Sequence, residues 1–391
     1  MTDENLPRRV AFFGHAEGLR GDGLSTYSRE LVRALRARGV VVRFFAHTED
    51  GTQLPVGRDD ATLLRAWHFK TVTIPRPGAM RTIRRALEDF RPDVVHISWS
   101  FSLHDAAIAA DAHRLGALCV ATFHLPHGPA GTARGRVLRG LYRYHVRKMR
   151  QVDRCIALSN AQGDLLAKSG FPAKHIVVIP NGVDGDRFSP GPSTIRTELG
   201  AKLVVLYLGR LDPEKRVPAL LESFLSLRLP TDHVLCIAGD GVHRDRLRRL
   251  AAGHSNVRLL GLVSGARATE LLRGADVFVL PSTAEGLALS LLEAMSAGCA
   301  IIATDAGEDG RALEGAGIVI PTHPLRPPLD DALRRVIGDP DLRARLGDAA
   351  RQRALTSFAM SGSAERVLGV YARAYGAAPI TAATAAAAAV R

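Results

Sequence analysis

Short apolar runs of four to seven residues alternate with amphipathic stretches along this chain, and in each unit the apolar run comes first. A parallel sheet with crossover helices produces that order: a strand buried on both faces reads as a continuous apolar run, whereas its covering helix keeps one polar face. In the first half, Val10 to Phe13, Val40 to Phe45, Val94 to Ile97, Leu118 to Phe123, Cys155 to Leu158 and Ile176 to Ile179 predict strands. Thr26 to Arg38, with Leu31, Val32 and Leu35 on one face, predicts a helix, as do Thr82 to Phe90 and Asp105 to Leu115. A second series of strands is predicted at Leu203 to Leu208, Val234 to Ala238, Val257 to Leu260, Val277 to Leu280, Ala300 to Ala303 and Ile318 to Ile320, with Leu289 to Ser296 as the clearest helix between them.

The two series meet at Pro180-Asn181-Gly182, and Asp184 to Thr194, carrying Pro190, Gly191 and Pro192, reads as a linker and hinge. The 391 residues are about two domains' worth of chain. The fold class expected is α/β, two Rossmann-like doubly wound domains facing each other across a cleft. The first is placed at 1–185 and the second at 186–376, whose last helix has the option of packing back on the first. The Ala- and Thr-rich tail at 377–391 reads as disordered, a frayed helix being the alternative. No period of repeated residues points to a solenoid.

Composition narrows the chemistry. The 46% hydrophobic and 23% charged fractions are those of a globular chain. Fifty-two Lys and Arg against 39 Asp and Glu leave a net +13, which favours anionic partners: phosphorylated small molecules, acidic lipid surfaces or nucleic acid. Cys119, Cys155, Cys236 and Cys299 are scattered with no CxxC pair, as in a reducing compartment. The start MTDENLPRRVAFFGH lacks a signal-peptide core, and no apolar run reaches the ~18 residues of a membrane span. A cytoplasmic protein is expected, with contact at the inner face of the membrane left open.

In doubly wound sheets, ligands bind beyond the carboxyl ends of the strands. After the first strand comes a loop containing Gly21-Asp22-Gly23 ahead of a helix start, where a backbone can approach an anion closely; a plain glycine turn is the alternative. Its spacing does not fit GxGxxG, and no GxxxxGK[ST] occurs, against a P-loop NTPase. The first strand of the second half runs into Gly209-Arg210-Leu211-Asp212-Pro213-Glu214-Lys215-Arg216. There Arg210 offers a planar fork and Lys215 a point charge to a diphosphate, unless both are simply solvated. Glu285-Gly286-Leu287-Ala288 follows another apolar strand. Glu293 lies eight positions after Glu285, within the apolar helix that opens at Leu289, where a carboxylate needs partners such as sugar hydroxyls. The amides from Gly286 to Leu289 at that helix start are placed to receive phosphate. His124 and His127 make HxxH, but two ligands without a nearby Cys or carboxylate do not make a zinc site, so no metal is expected. His96 ends a strand and reads as a packed or solvent-facing imidazole.

GRLDPEK, Ala238-Gly239-Asp240-Gly241, ADVFVLPS at 275–282 and the Glu285-x7-Glu293 pair running into Ala294-Met295-Ser296-Ala297-Gly298 occur here in order. Together with Thr122-Phe123-His124 and Ile179-Pro180-Asn181-Gly182-Val183-Asp184, they make the chain resemble glycosyltransferase family 4, with the GT-B fold, from Val10 to about Tyr375. The resemblance implies a retaining, metal-independent enzyme that needs no cofactor and uses a nucleotide diphosphate sugar, UDP- or GDP-linked. It implies that Arg210 and Lys215 neutralise the diphosphate, Glu285 binds donor-sugar hydroxyls and Glu293 the ribose. It also implies that backbone near Gly209, Gly239, Gly261 and Val263 lines the nucleotide site, that His124 sits over the reacting sugar, and that Gly21 or Gly23 approaches the phosphate. Ala288 stands where the family often has glycine, Arg216 follows Lys215 in place of glycine, and Gly307-Glu308-Asp309-Gly310-Arg311 replaces paired glycines and a later glutamate, so the donor is left open. Because the loop of Lys215 is expected to be exposed, Lys215→Ala is expected to cost turnover with the fold intact.

The pattern from about Arg134 to Arg154 predicts one long helix. On it Arg136, Arg139, Arg143, Arg147, Arg150 and Arg154 fall within an arc of ~80°. That face suits a phosphorylated acceptor or an anionic membrane surface, or is merely solvated. The acceptor hydroxyl is left open among lipid, phosphorylated polyol, saccharide and secondary metabolite. A sugar-nucleotide 2-epimerase or a phosphorylase on a related fold is the alternative enzyme. A non-enzymatic binder of nucleic acid or another anion is the distant one, and nucleic acid is not expected because exposed interleaved aromatics are missing.

Overall fold

The structure is a computed structural model that describes residues 7–15, 23–48, 61–69, 72–99, 102, 104–124, 140 and 143–375. The chain divides into two compact units, one of Met1–Pro180 with Ser361–Arg391 and one of Asn181–Met360.

In the first unit the strands are β1 (Arg9–His15), β2 (Val41–Thr48), β3 (Ala61–Phe69), β4 (Val72–Pro75), β5 (Val94–Trp99), β6 (Leu118–Phe123), β7 (Arg154–Ala157) and β8 (Ile176–Val178). They form one sheet in the order β4-β3-β2-β1-β5-β6-β7-β8, parallel except for the β3–β4 pair. All six residues of β5 and of β6 are buried, as their unbroken apolar runs require. β3 and β4 were not anticipated. They lie at the sheet's edge, where β3 needs only intermittent apolar residues: Leu64 is buried while its neighbour Leu63 faces solvent. The helix Gly23–Arg36 packs Leu31, Val32 and Leu35 inward, and Ala79–Phe90 does the same with Ile83 and Leu87.

In the second unit β9 (Leu203–Leu208), β10 (His233–Ala238), β11 (Val257–Gly261), β12 (Val277–Leu280), β13 (Ala300–Thr304) and β14 (Ile318–Ile320) form an all-parallel sheet. Its order is β11-β10-β9-β12-β13-β14. The sequence of strands reverses between β9 and β12, which is the switch point where such sheets open a crevice at their carboxyl ends.

Two expectations need correction. The segment read as a linker, Asp184 to Thr194, belongs to the second unit: Phe188 is buried in its core, and the Arg273 Nε donates to the Ser189 carbonyl at 3.0 Å. The chain passes between the units at 180/181 and again at 360/361. The long arginine helix is also shorter than its pattern. Residues 143–148 are helical, Met149–Gln151 form a 3₁₀ turn, and Arg154 opens β7. Arg150 stands in the 3₁₀ turn and donates to the Gly170 carbonyl at 2.8 Å, whereas Arg154 lies on a strand and donates to the Asp153 carbonyl at 2.7 Å, so Arg154 is not on a helical face with Arg143 and Arg147, which are exposed. The sheet wins here because Val152, Cys155 and Ile156 bury completely. Arg136, Arg139, His127 and the tail at 377–391 lie outside the described residues.

Candidate active site

The loops after β9 and β12 leave the sheet on either side of the switch point. The first carries Arg210 and Lys215 and the second Glu285. Backbone bonds knit them together: the Thr283 amide donates to the Glu214 carbonyl at 2.8 Å, and the Thr283 hydroxyl to the same oxygen at 3.2 Å. The Lys215 ammonium pairs with the Glu285 carboxylate across 70 positions of sequence. Their side chains are only 13% and 11% exposed.

Arg210 is more open, with 55% of its side chain exposed. It pairs with Asp212 and donates to Glu214 at 2.9 Å, while the Tyr207 hydroxyl donates to its carbonyl at 2.6 Å. Exposed pairs of this kind are worth at most about 1 kcal/mol, so an anion of two charges can displace them. Tyr207 is fully buried in β9, and burial together with the nearby Glu285 pushes its phenol pKa far up, keeping it a donor.

Glycines let these loops close. A Cβ on Gly239, at φ +143, would meet the Gly209 carbonyl oxygen at 1.8 Å, so the loops after β10 and β9 touch backbone to backbone. Gly239 donates in turn to the carbonyl of Gly261, the last residue of β11, and Val263 beyond it is half-buried. Gly307, at φ +62, sits against the Glu285 carbonyl, where a Cβ would stand 2.1 Å away.

Behind the Glu285 loop lies Asp309, which the sequence reading noted only as part of an unusual stretch. It is 1% exposed, and its Oδ1 accepts the Ala288 amide at 2.9 Å, so that amide is already engaged. The Glu308 amide donates to the Gly286 carbonyl at 2.9 Å and ties the two loops a second time. Burial above all, and then the negative Glu285, hold the Asp309 carboxyl well above the usual carboxylate range, with Lys215 opposing. The cluster is therefore one ammonium, one carboxylate and one carboxyl biased toward its neutral form. Leu287 is buried, its carbonyl accepting from the Asn181 side-chain Nδ2 at 3.0 Å, and Leu289 starts the helix Leu289–Ser296, on which Glu293 is half-buried. Arg311 is exposed, 3.6 Å from Glu308.

In the first unit, His124 directly follows β6, and its ring meets the edge of Tyr27 at a centroid distance of 4.6 Å. Gly23 opens the helix that carries Tyr27, and Gly21 lies outside the described residues. No cluster of His, Cys, Asp and Glu able to hold a metal occurs among the described residues. The four cysteines are unpaired and buried.

The family model Glycosyltransferase Family 4 matches residues 21–187, and Glycosyl transferases group 1 matches 195–353. The chain belongs to the family 4 type of glycosyltransferases and has the GT-B fold. A glycogen synthase of Mycobacterium tuberculosis is 29% identical over 326 residues, 81% of this chain and 77% of that protein. A D-inositol 3-phosphate glycosyltransferase of Kineococcus radiotolerans is 27% identical over 401 residues, 90% of each chain. Among solved structures, Anabaena HepE in complex with UDP superposes with a TM-score of 0.74 at 17% identity, covering 93% of this glycosyltransferase and 100% of that chain. No helix among the described residues of this transferase is long and apolar enough to cross a membrane.

Proposed function

We propose that this glycosyltransferase is a retaining hexosyltransferase that draws on a nucleoside diphosphate sugar, UDP- or GDP-linked, and passes the sugar to an acceptor hydroxyl. The observation that carries the reading is the Lys215–Glu285 pair at the switch point of the second sheet. A diphosphate gives Lys215 a partner of two charges, and the Glu285 carboxylate is then released to accept hydrogen bonds from sugar hydroxyls. Arg210 exchanges its exposed carboxylates for the same phosphates, and Glu293 holds the ribose. The amides at the start of Leu289–Ser296 add fixed positive ends.

As the bond from C1 to the phosphate oxygen breaks, negative charge gathers on the diphosphate and positive charge at C1. Prepositioned cations stabilise the former, each worth roughly 3–4 kcal/mol in a poorly hydrated site. The acceptor oxygen bonds to C1 on the face the phosphate leaves, and its proton passes to the departing phosphate oxygen, so configuration is kept. His124 lies over the sugar during this step. The reading calls for no metal or cofactor, because the cations and amides carry the charge. HepE's complex with UDP and the named substrates of the relatives, glycogen and an inositol phosphate, support a nucleotide donor and a saccharide or phosphorylated polyol as acceptor. The net charge of +13 fits such anions, and the exposed Arg143 and Arg147 are where an anionic acceptor or the inner membrane face of a cytoplasmic cell compartment is proposed to bind.

A panel of UDP-, GDP- and ADP-sugars tests this by thermal stabilisation, about 2.7 kcal/mol at a hundredfold excess over Kd. Free nucleoside diphosphate is expected only when an acceptor is added. Lys215→Ala is expected to lower kcat by about 100-fold or more. Near-parental turnover in that variant, or no stabilisation by any sugar nucleotide, overturns the reading, and interconversion of the sugar nucleotide alone assigns a 2-epimerase.

A further inference from the structure

A chain of hydrogen bonds crosses the core of the first unit and ends beside His124. His96 on β5 is fully buried, stacked on Phe12 at 4.6 Å. Its Nδ1 lies 2.5 Å from the hydroxyl of Tyr371, on the C-terminal helix Met360–Tyr375, and its Nε2 lies 2.8 Å from the Thr122 hydroxyl on β6. That hydroxyl is 3.0 Å from the Tyr27 hydroxyl. Four elements thus contribute one polar side chain each to an otherwise apolar interior. A set of satisfied core groups would need no more explanation than that, but the chain also has a direction.

Burial pulls the His96 pKa down to about 3, so the imidazole is neutral and carries a single N–H. One ring nitrogen donates and the other accepts, and three arrangements make all three bonds; the one in which Thr122 accepts from both Nε2–H and Tyr27 strands the Thr122 proton in a fully buried place, which leaves two to weigh. If Tyr27 donates to Thr122, Thr122 to Nε2 and Nδ1–H to Tyr371, the Tyr371 proton is left over. Tyr371 is 0% exposed, and no acceptor other than Nδ1 reaches its hydroxyl among the described residues, so that proton would bear its full desolvation cost. In the opposite polarity Tyr371 donates to Nδ1, Nε2–H to the Thr122 oxygen, and the Thr122 hydroxyl to the Tyr27 oxygen. The proton left over is then that of Tyr27, at the end of the chain beside His124, where Tyr27 retains 6% exposure. The second arrangement pairs the donors of Tyr371, His96 and Thr122 and leaves over only that of Tyr27, the least buried of the four.

We infer that Tyr27 is a further substrate-contacting residue: the relay from Tyr371 through His96 and Thr122 occupies its oxygen and leaves its hydroxyl proton to donate to a sugar hydroxyl oxygen beside His124. The inference rests on the glycosyl-transfer reading given above. It assigns His96 the Nε2–H tautomer, although no substrate atom touches it, and makes His96 and Tyr371 positioning residues.

Two measurements test it. In the wild-type protein, ¹⁵N-histidine NMR is expected to show His96 protonated at Nε2 and not at Nδ1; an Nδ1–H tautomer overturns the polarity whether or not the protein is assayed. Tyr27→Phe keeps the ring against His124 and removes only the hydroxyl. With the donor found by the panel it is expected to lower kcat/KM about tenfold, and because it strands the buried Thr122 proton it also lowers the thermal midpoint, so both proteins are assayed well below their midpoints. A rise in the donor KM places the contact on the transferred sugar, and a rise in the acceptor KM places it on the acceptor. Wild-type transfer accompanied by a Tyr27→Phe kcat/KM within twofold of parental overturns the inference alone, whereas a wild type that transfers from no sugar nucleotide overturns the functional reading with it.

Discussion

Asp309 concentrates the electrostatics of the second unit in one side chain. It accepts the Ala288 amide, and it lies close enough to Glu285 and Lys215 for their charges to shift its proton affinity in opposite senses. Its folded pKa is raised, so the native state holds a proton that the unfolded chain gives up in the ordinary carboxylate range. The resulting stability is complete below that range and drains away as pH rises through the folded pKa. Asp309→Asn keeps an oxygen for the Ala288 amide but has nothing to titrate. Denaturant unfolding from pH 5 to 9 is expected to show wild-type stability falling relative to the Asn variant as pH rises, and a constant difference would mean that Asp309 is ionised throughout. Lys215, for its part, cannot be removed without leaving Glu285 in a mostly buried place without its cation, so Lys215→Ala is expected to cost stability as well as turnover.

At the scale of elements, the candidate donor site is a set of loops braced by other loops. The segment after β13 supports the segment after β12 at three points: the Glu308 amide on Gly286, Asp309 on the Ala288 amide, and Gly307 against the Glu285 carbonyl. The backbone that carries Glu285 is therefore held by a neighbouring connection, while its side chain pairs with Lys215 from a third. Gly307→Ala puts a Cβ 2.1 Å from a backbone oxygen at a φ that L-residues rarely adopt, and backbone cannot yield as a flexible side chain would. We expect a loss of about 1–3 kcal/mol in thermal unfolding together with a larger loss of sugar-nucleotide affinity by calorimetric titration. Wild-type affinity in this variant would show that the brace does not set the site.

Across the whole molecule, the polypeptide's end returns to its beginning. Helix Met360–Tyr375 belongs with the first unit, where Tyr371 reaches His96 across 275 positions and the Arg38 guanidinium donates to the Ser361 carbonyl at 2.9 Å. Truncation after Met360 uncovers a neutral buried histidine and opens the core beside it. Calorimetry is expected to show the transition of the first unit lowered or lost while that of the second, built from Asn181–Met360, is retained. Equal loss of both would make the units one cooperative body. His96 works in the sense opposite to Asp309: its depressed pKa gives stability that is present above about 6.5 and is lost as pH falls toward 3.

The amino-acid sequence by itself determined the two parallel sheets and the loops that carry the chemistry. Apolar runs and helical periodicity are local properties, and a loop after a buried strand can be found without knowing what lies next to it. The placement of Arg210, Lys215 and Glu285 on such loops was legible for that reason. Strand order was not local, and only tertiary structure decided that β9 and β12 are neighbours, which joins Lys215 to Glu285, and that the loop after β13 brings Asp309 beneath Ala288. The edge strand β4 and its neighbour β3 were missed because the margin of a sheet demands little apolar continuity. The arginine periodicity ran past the helix it described because burying Val152, Cys155 and Ile156 in the sheet outweighs the preference of exposed arginines for one more turn. His96 looked ordinary in sequence because its partners come from the far end of the chain, and a buried polar group acquires its meaning from whatever closes over it.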